Sequence, residues 1–327
     1  IPHRICGKVI VAVSPDEIPL LEELHRRGIA NGVKGLRMLE PGPLREIEPH
    51  CAGLRGLHVP GTAVTDFSAV SLRFAREASA AGAEIRVGTR VTGISKDAAG
   101  VVLTTTGDRV AARLAVNCAG LQSDRVATMA GSGVDLLIVP FRGEYFTLDP
   151  ARADLVTGLI YPVPRPELPF LGVHLMRRVD GMVEAGPNAC WALAREGYRW
   201  SDISIADLLE AVSFAGFRRM ARRHLRYGIE ETHRSLSRRA FLHSVQRLVP
   251  GLRGGDLRPG GAGVRAQAIE PSGALVDDFR FTRTAGMIHV LNVPSPAATA
   301  SIAIARRISE MAEEALGYDL PSGTRRA

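Results

Sequence analysis

The chain has 327 residues, 46% of them hydrophobic, with a mean hydropathy of +0.05; this supplies a core for two lobes or for one large α/β body with an insert, and it excludes a wholly disordered chain. No apolar run approaches the ~20 residues of a bilayer span, the apolar opening lacks the basic flank and cleavage site of a signal peptide, and Cys6, Cys51, Cys118 and Cys190 form no CxxC pair, which disfavours a zinc knuckle or disulfide scaffold and makes a reducing cytoplasm the default. The net charge of +7 is nearly all arginine, since Lys8, Lys34 and Lys96 are the only lysines; arginine forks suit carboxylates and phosphates, while 5% aromatic residues and the lack of a basic-aromatic ladder argue against nucleic acid.

In chain order, a strand over Lys8–Val13 leads to a helix with Ser14 as N-cap, Pro15 at N1, Glu17 near N3 and Gly28 after its end. The sequence opens at Ile1 without a methionine, as a processed chain or a fragment would. After a proline-rich stretch, Thr65 or Asp66 caps a second helix, with Val70, Phe74, Ala75 and Ala78 on one face and Gly82 at its end. Strands are expected over Glu84–Val87 and Arg90–Ile94, and a hairpin over Val101–Thr106 and Val110–Val116 turns at Gly107-Asp108. Ala115–Asn117 then runs through Cys118-Ala119-Gly120 into a helix near Ser123. Such a turn presents backbone N–H groups to an anion, or is an ordinary βα link.

Antiparallel strands are expected at Leu136–Pro140, Glu144–Leu148, Leu159–Val163, Phe170–Leu175 and Gly181–Ala185, because their links are short and rich in proline. Residues Ile205–Arg247 read as helical and arginine-rich, either a solvated face or one that meets an anionic membrane surface or an acidic partner. Gly254 to Gly260 reads as loop, strands return at Val264–Ile269, Phe279–Thr282 and Met287–Leu291, and Pro296 opens a last helix to about Leu316. Its inner face is expected to carry Ala298, Ile302, Ala305, Ile308 and Met311.

The one G-x-G-x-x-G/A string, Gly261 to Ala266, precedes a strand rather than a helix, which rules it out as a dinucleotide fingerprint. No G-x-S-x-G elbow, P-loop, HExxH or His/Cys pair at metal spacing is present. What remains is polar residues set in apolar strands. Arg142 and Glu144 share one strand face with Tyr145 on the other, His174 lies among hydrophobes, Tyr161 follows Ile160, and Arg265 and Gln267 share a face. Each alone suits a satisfied core polar group; together they suit a small carboxylate-bearing substrate.

Five strings carry a more specific signal: Phe141–Phe146 (FRGEYF), Leu159–Met176 (LIYPVPRPELPFLGVHLM), Gly186–Ala189 (GPNA), Gly263–Ala268 (GVRAQA) and Asn292–Thr299 (NVPSPAAT). With them the chain resembles, from about Cys6 to Met311, the L-2-hydroxyglutarate oxidase/dehydrogenase family of the D-amino-acid-oxidase superfamily of FAD enzymes. The resemblance implies an α/β fold with a Rossmann-like FAD lobe and an antiparallel substrate lobe, interleaved in sequence. Residues 1–62 and 132–252 would form the substrate lobe, the latter with the basic helical segment, and 63–131 and 253–327 the FAD lobe with the C-terminal helix. Family members open with a strand–GxGxxG–helix unit and a histidine-rich stretch. Neither is in this sequence, so the first βαβ unit is expected to be absent and FAD to be held weakly.

The resemblance also implies roles. Val91 would meet the adenine; Cys118, Ala119, Gly120 and Ser123 would form the second FAD-contacting turn; Pro294, Ser295, Pro296, Ala297, Ala298 and Thr299 would lie by the flavin ring. Arg265 would pair with a substrate carboxylate. Arg142, Tyr161, His174 and Gln267 are the remaining substrate-side residues, with His174 or a histidine outside this sequence as base. The implied reaction oxidises L-2-hydroxyglutarate to 2-oxoglutarate and passes electrons to oxygen or a quinone, in the cytoplasm or peripherally at the inner face of the membrane. Another substrate of the superfamily, an amino acid or glycerol 3-phosphate, and an inactive fragment are the alternatives.

Overall fold

The structure is a computed structural model that describes residues 1–97, 100–165 and 170–318; positions 166–169, inside the second of the five strings, lie outside the described residues. The chain divides into two compact units, one of Ile1–Phe74, Phe141–Trp191 and His224–Val264, the other of Ala75–Pro140, Ala192–Arg223 and Arg265 onward.

A mixed sheet organises the first unit. Its strands lie in the order Cys190–Trp191, Leu137–Leu148, Val183–Gly186, His174–Arg177, Leu159–Pro162, Lys8–Ala12, Arg55–Val59, Arg37–Leu39. The pairing is antiparallel with one exception: Leu159–Pro162 runs parallel to Lys8–Ala12, Ile160 opposite Val9. The middle strands pair antiparallel as expected; Lys8–Ala12 lay outside that expectation, and the long connection to it can return in either direction. Leu137–Leu148 is one strand, not two, since Phe141 and Arg142 pair with the short strand Cys190–Trp191 that fills the gap between the expected pieces.

One face of this sheet buries Val9, Val11, Ile160, Leu175, Val183 and Ala185 against Phe241 and Val245 of the helix Arg238–Gln246. Phe146 adds a tilted ring contact with Phe241, 4.5 Å between centroids. The other face packs Ala12, Leu57 and Val163 on Leu21 of the helix Ile18–Ala30. That helix starts after a 3-10 turn, Pro15–Glu17, without a Ser14 side-chain cap. It also runs past Gly28, where an added Cβ would sit 2.4 Å from Leu36 Cδ1; the glycine is a packing residue, and Gly32 at φ +72° follows the end instead.

Glu48 is buried in this unit and accepts N–H bonds from Thr157 (2.9 Å) and Gly158 (2.6 Å). Burial pushes its carboxyl above the ordinary range, more than these bonds lower it. The native state therefore holds this proton more tightly than the unfolded chain, so the stabilisation is full at pH below the ordinary carboxylate pKa and is lost as pH rises through the raised value. Glu48→Gln is expected to remove that pH slope, read from urea unfolding across a pH series.

In the second unit, Val91–Asp97, Gly100–Thr105 and Arg109–Ala112 form an antiparallel meander. Its turn is held by Thr105 Oγ1, which accepts from the amides of Gly107 (3.1 Å) and Asp108 (3.0 Å). Glu84–Val87 is not a strand: it pairs with none among the described residues, and Arg86 ties Glu84 to Asp108 instead. A three-stranded sheet runs Arg280–Thr284, Met287–Asn292, Ala115–Asn117, its last pair parallel.

Three further expectations change. The strand before Ile269 begins at Leu257, through the stretch read as loop, because glycine lets backbones close in: a Cβ on Gly260 would lie 2.8 Å from the Tyr145 carbonyl oxygen. The helix Phe67–Ala80 is capped by Asp66 Oδ1, bonded by Ser68 N at 2.9 Å, but Phe74 on its expected inner face is 43% exposed. In the last helix, Ala297–Leu316, the inner face holds Ile304, Ile308 and Met311, whereas Ile302 is 64% exposed and Ala298 and Ala305 face out.

Candidate functional site

Alternation along the first unit's sheet decides where its polar residues point. Ile160 and Leu175 are opposite one another and enter the core, so the next pair, Tyr161 and His174, stands side by side on the other face. Their rings stack at 4.0 Å between centroids. Val9 and Val11 likewise turn Lys8 to this face, where its Nζ lies 5.1 Å from the Tyr161 ring centroid. On the next strands His174 faces Gly186, and a Cβ on Gly186 would meet Tyr145 Cδ1 at 2.9 Å. The outcome is a row of Lys8, Tyr161, His174 and Tyr145 over a glycine floor.

His174 is thus half-buried on a polar face, not enclosed by hydrophobes as the sequence suggested. Its Nδ1 lies 3.4 Å from the Gly172 carbonyl oxygen. With the proton on Nδ1 and donated there, the lone pair sits on Nε2, the tautomer a base requires. Burial raises the Tyr161 hydroxyl pKa, with Tyr145 adding to the effect, so Tyr161 remains a neutral donor. Burial lowers that of Lys8.

Arg142 lies elsewhere. It is 0% exposed on the core side of its strand, where Nε donates to Glu144 Oε1 at 3.1 Å and Nη2 approaches Cys190 Sγ at 3.7 Å. Glu144 also takes the Ser235 hydroxyl and, at 3.3 Å, the Asn188 side-chain amide, while its own N–H donates to Asn188 Oδ1 at 2.7 Å. Buried Glu231 caps the same region, accepting from Ala189 N at 2.9 Å and pairing with Arg234. Truncating Asn188 to alanine strips both bonds from Glu144 and is expected to cost about 1–3 kcal/mol of unfolding free energy, read from denaturant curves.

In the second unit, Ala266 and Ala268 enter a small core with Ala127, Leu136, Ile138 and Leu291, so Arg265 and Gln267 share the opposite face of their strand. Gln267 Nε2 donates to the carbonyls of Ala268 (3.0 Å) and Val276 (3.2 Å), which ties that strand to its neighbouring turn.

The turn from Cys118 to Gly120 is exposed and is shaped by buried Asn117, whose Oδ1 accepts from Ala119 N at 3.1 Å and whose Nδ2 donates to the Ser123 carbonyl at 2.8 Å. A second contact joins Asn117 Nδ2 and His289 Nδ1 at 3.2 Å. Ser123 is fully buried, its hydroxyl directed at the Leu291 carbonyl. Gly120, at φ +55°, has open space where a Cβ would stand. Val91 begins the meander, opposite Thr105. Pro294 to Thr299 lead into the long last helix, which has no side-chain cap; Ser295, Pro296, Ala298 and Thr299 are exposed there. Uncapped amides at a helix start and an open glycine turn are the donor set that a phosphate-bearing, electron-rich cofactor such as FAD requires.

Lys8, Asn188 and Glu231 were not singled out by sequence, and Glu144 and Tyr145 were noticed as polar residues of an apolar strand without a site role; the signals were that Lys8 is one of three lysines, that Glu144 and Tyr145 lie inside the FRGEYF string and that Asn188 lies inside GPNA.

Comparison with known proteins completes the description. Residues 1–311 match the model of the DAO family, FAD dependent oxidoreductase. An L-2-hydroxyglutarate dehydrogenase of Indibacter alkaliphilus is 42% identical over 95% of this chain and 78% of its own length. One of Escherichia coli (strain K12) is 43% identical over 93% and 72%, respectively. Among solved structures, L-alpha-glycerophosphate oxidase from Mycoplasma pneumoniae with FAD bound superposes with a TM-score of 0.75 at 22% identity, covering 99% of this chain and 76% of that one. Glycine oxidase from Geobacillus kaustophilus follows at 0.67 and 17%, covering 100% and 76%. With sequence matches over more than nine-tenths of its length and a shared fold, the chain belongs to the family of FAD dependent oxidoreductases that includes these dehydrogenases.

Proposed function

We propose that the protein oxidises L-2-hydroxyglutarate to 2-oxoglutarate with FAD as its cofactor. The observation that carries this reading is the 42–43% identity to proteins with that activity in their names, over nearly the whole chain. When bound, FAD supplies the acceptor for the hydride leaving C2. The second unit is the FAD lobe in this reading. Val91 would hold the adenine, the Cys118–Gly120 turn and the start of the Ser123 helix would form the second FAD-contacting turn, and Pro294 to Thr299 would turn helix amides toward the flavin ring.

The first unit serves the substrate. His174 accepts the hydroxyl proton at Nε2, and Tyr161, held neutral, donates a hydrogen bond. On the second unit, Arg265 is the residue that the family resemblance pairs with a substrate carboxylate, through its planar fork. Arg142 acts from behind the sheet, by fixing Glu144 and the 186–190 turn, and Gln267 fixes the strand that carries Arg265.

The electrons leave for oxygen or a quinone. Among the described residues no helix is long and apolar enough to cross a membrane. Exposed Arg222 and Arg223 offer positive charge for peripheral contact with anionic lipid. Other arginines of that segment are already engaged, Arg218 with the Val212 carbonyl at 2.8 Å and Arg219 with that of Pro271.

Anaerobic mixing of the FAD-loaded protein with L-2-hydroxyglutarate tests the reading. Bleaching of the visible flavin band with the L isomer is expected, and none with the D isomer, glycine or glycerol 3-phosphate. Bleaching by one of the latter two alone would move the assignment to another substrate of the family. Oxygen uptake against reduction of a soluble quinone then identifies the acceptor.

A further inference from the structure

The polar row on the first unit's sheet contains a cation, Lys8, that has no ion-pair partner among the described residues. Lys8 is turned out of the core by its neighbour Val9, and its stem is half-buried. Its ammonium lies 5.1 Å from the Tyr161 ring centroid, and Tyr161 stacks on His174. Among the described residues no carboxylate forms an ion pair with it, whereas arginines of the same unit, Arg55, Arg165 and Arg178, are paired with Glu22, Asp16 and Glu184. A ring face holds an ammonium in place without neutralising it. Burial already disfavours the charged form, so an arriving anion would gain a partner that water serves poorly.

We infer that Lys8, held over Tyr161 beside His174, receives the second carboxylate of the substrate and sets the preference for dicarboxylates. The inference rests on the 2-hydroxyglutarate reading, in which the substrate carries a second carboxylate that needs its own cation. A site built around an unpaired lysine also rejects monocarboxylates, because they leave the desolvated ammonium uncompensated.

Glutarate and butyrate, which differ by that carboxylate, separate the possibilities when titrated calorimetrically into the FAD-loaded protein. Lys8→Met is expected to weaken glutarate roughly 10- to 100-fold and to leave butyrate within about twofold. Lys8→Arg should keep part of the affinity, and Lys8→Gln serves if the methionine variant melts early. In turnover, the ratio of kcat/KM for L-2-hydroxyglutarate over L-2-hydroxybutyrate should fall by the same factor. Equal losses for both ligands, an unchanged glutarate affinity, or a wild-type protein that does not bind glutarate would overturn the role of Lys8. If the wild type binds glutarate but does not oxidise L-2-hydroxyglutarate, the proposed reaction fails while the glutarate-to-butyrate ratio still decides on Lys8.

Discussion

Replacing His174 with glutamine is expected to slow flavin reduction by L-2-hydroxyglutarate roughly 10²–10⁴-fold, the usual worth of a positioned general base. The geometry behind this is specific. His174 stands on the polar face, stacked on Tyr161 at 4.0 Å, with Nδ1 3.4 Å from the Gly172 carbonyl oxygen, and the tautomer that donates there puts the lone pair on Nε2. Glutamine preserves size and polarity but cannot take the proton, so the defect should shrink as pH rises and hydroxide replaces the base. A structural histidine would give the opposite pattern, a lower melting temperature with the reduction rate per folded molecule unchanged. Single-turnover reduction across pH, alongside a melting curve, distinguishes the two, and an unchanged rate removes His174 from the mechanism.

Arg265→Met is expected to leave FAD affinity unchanged while reducing kcat/KM of the FAD-loaded protein by roughly 30- to 150-fold, or about 2–3 kcal/mol, the loss of a bidentate, charge-assisted pair. Because Ala266 and Ala268 anchor the strand in its core, the substitution at Arg265 should not disturb the backbone that carries it. Lysine should rescue only in part, since it cannot fork. Steady-state kinetics together with the flavin absorbance of the purified variant check both halves, and an unchanged kcat/KM would remove Arg265 from carboxylate binding.

Local chemistry was readable from the sequence; register was not. The Gly107-Asp108 turn, the strand-to-helix passage from Ala115 to Ser123 and the Asp66 cap all follow from residues a few positions apart, and the structure has them. The five family strings likewise sufficed for the fold and the cofactor. Tyr161 and His174 were each noticed, but their stacking depends on Ile160 meeting Leu175 across a hairpin, which no periodicity encodes. Lys8 entered only as one of few lysines, because its partner strand is recruited from far along the chain. The last helix shows the same limit: Ile302 and Ile304 are equally apolar, and only tertiary packing selects the second as inner. Glu84–Val87 alternates like a strand yet lacks a neighbour among the described residues, so pattern without a partner does not make one.

The parallel pairing of Ile160 with Val9 also constrains how the protein is made. At roughly 5–20 residues per second, about 8–30 s of synthesis separate the two strands. Of its two native partners among the described residues, Lys8–Ala12 then has only Arg55–Val59, which in turn holds Arg37–Leu39, and these nearby segments suit early pairing into a three-stranded antiparallel sheet. Its outer strand presents an unpaired apolar edge, Val9 to Val11, until the ribosome delivers Leu159–Pro162. The edge destined for the middle of the finished sheet is thus one whose native partner is synthesised late, and an uncovered strand edge is a template for wrong pairing.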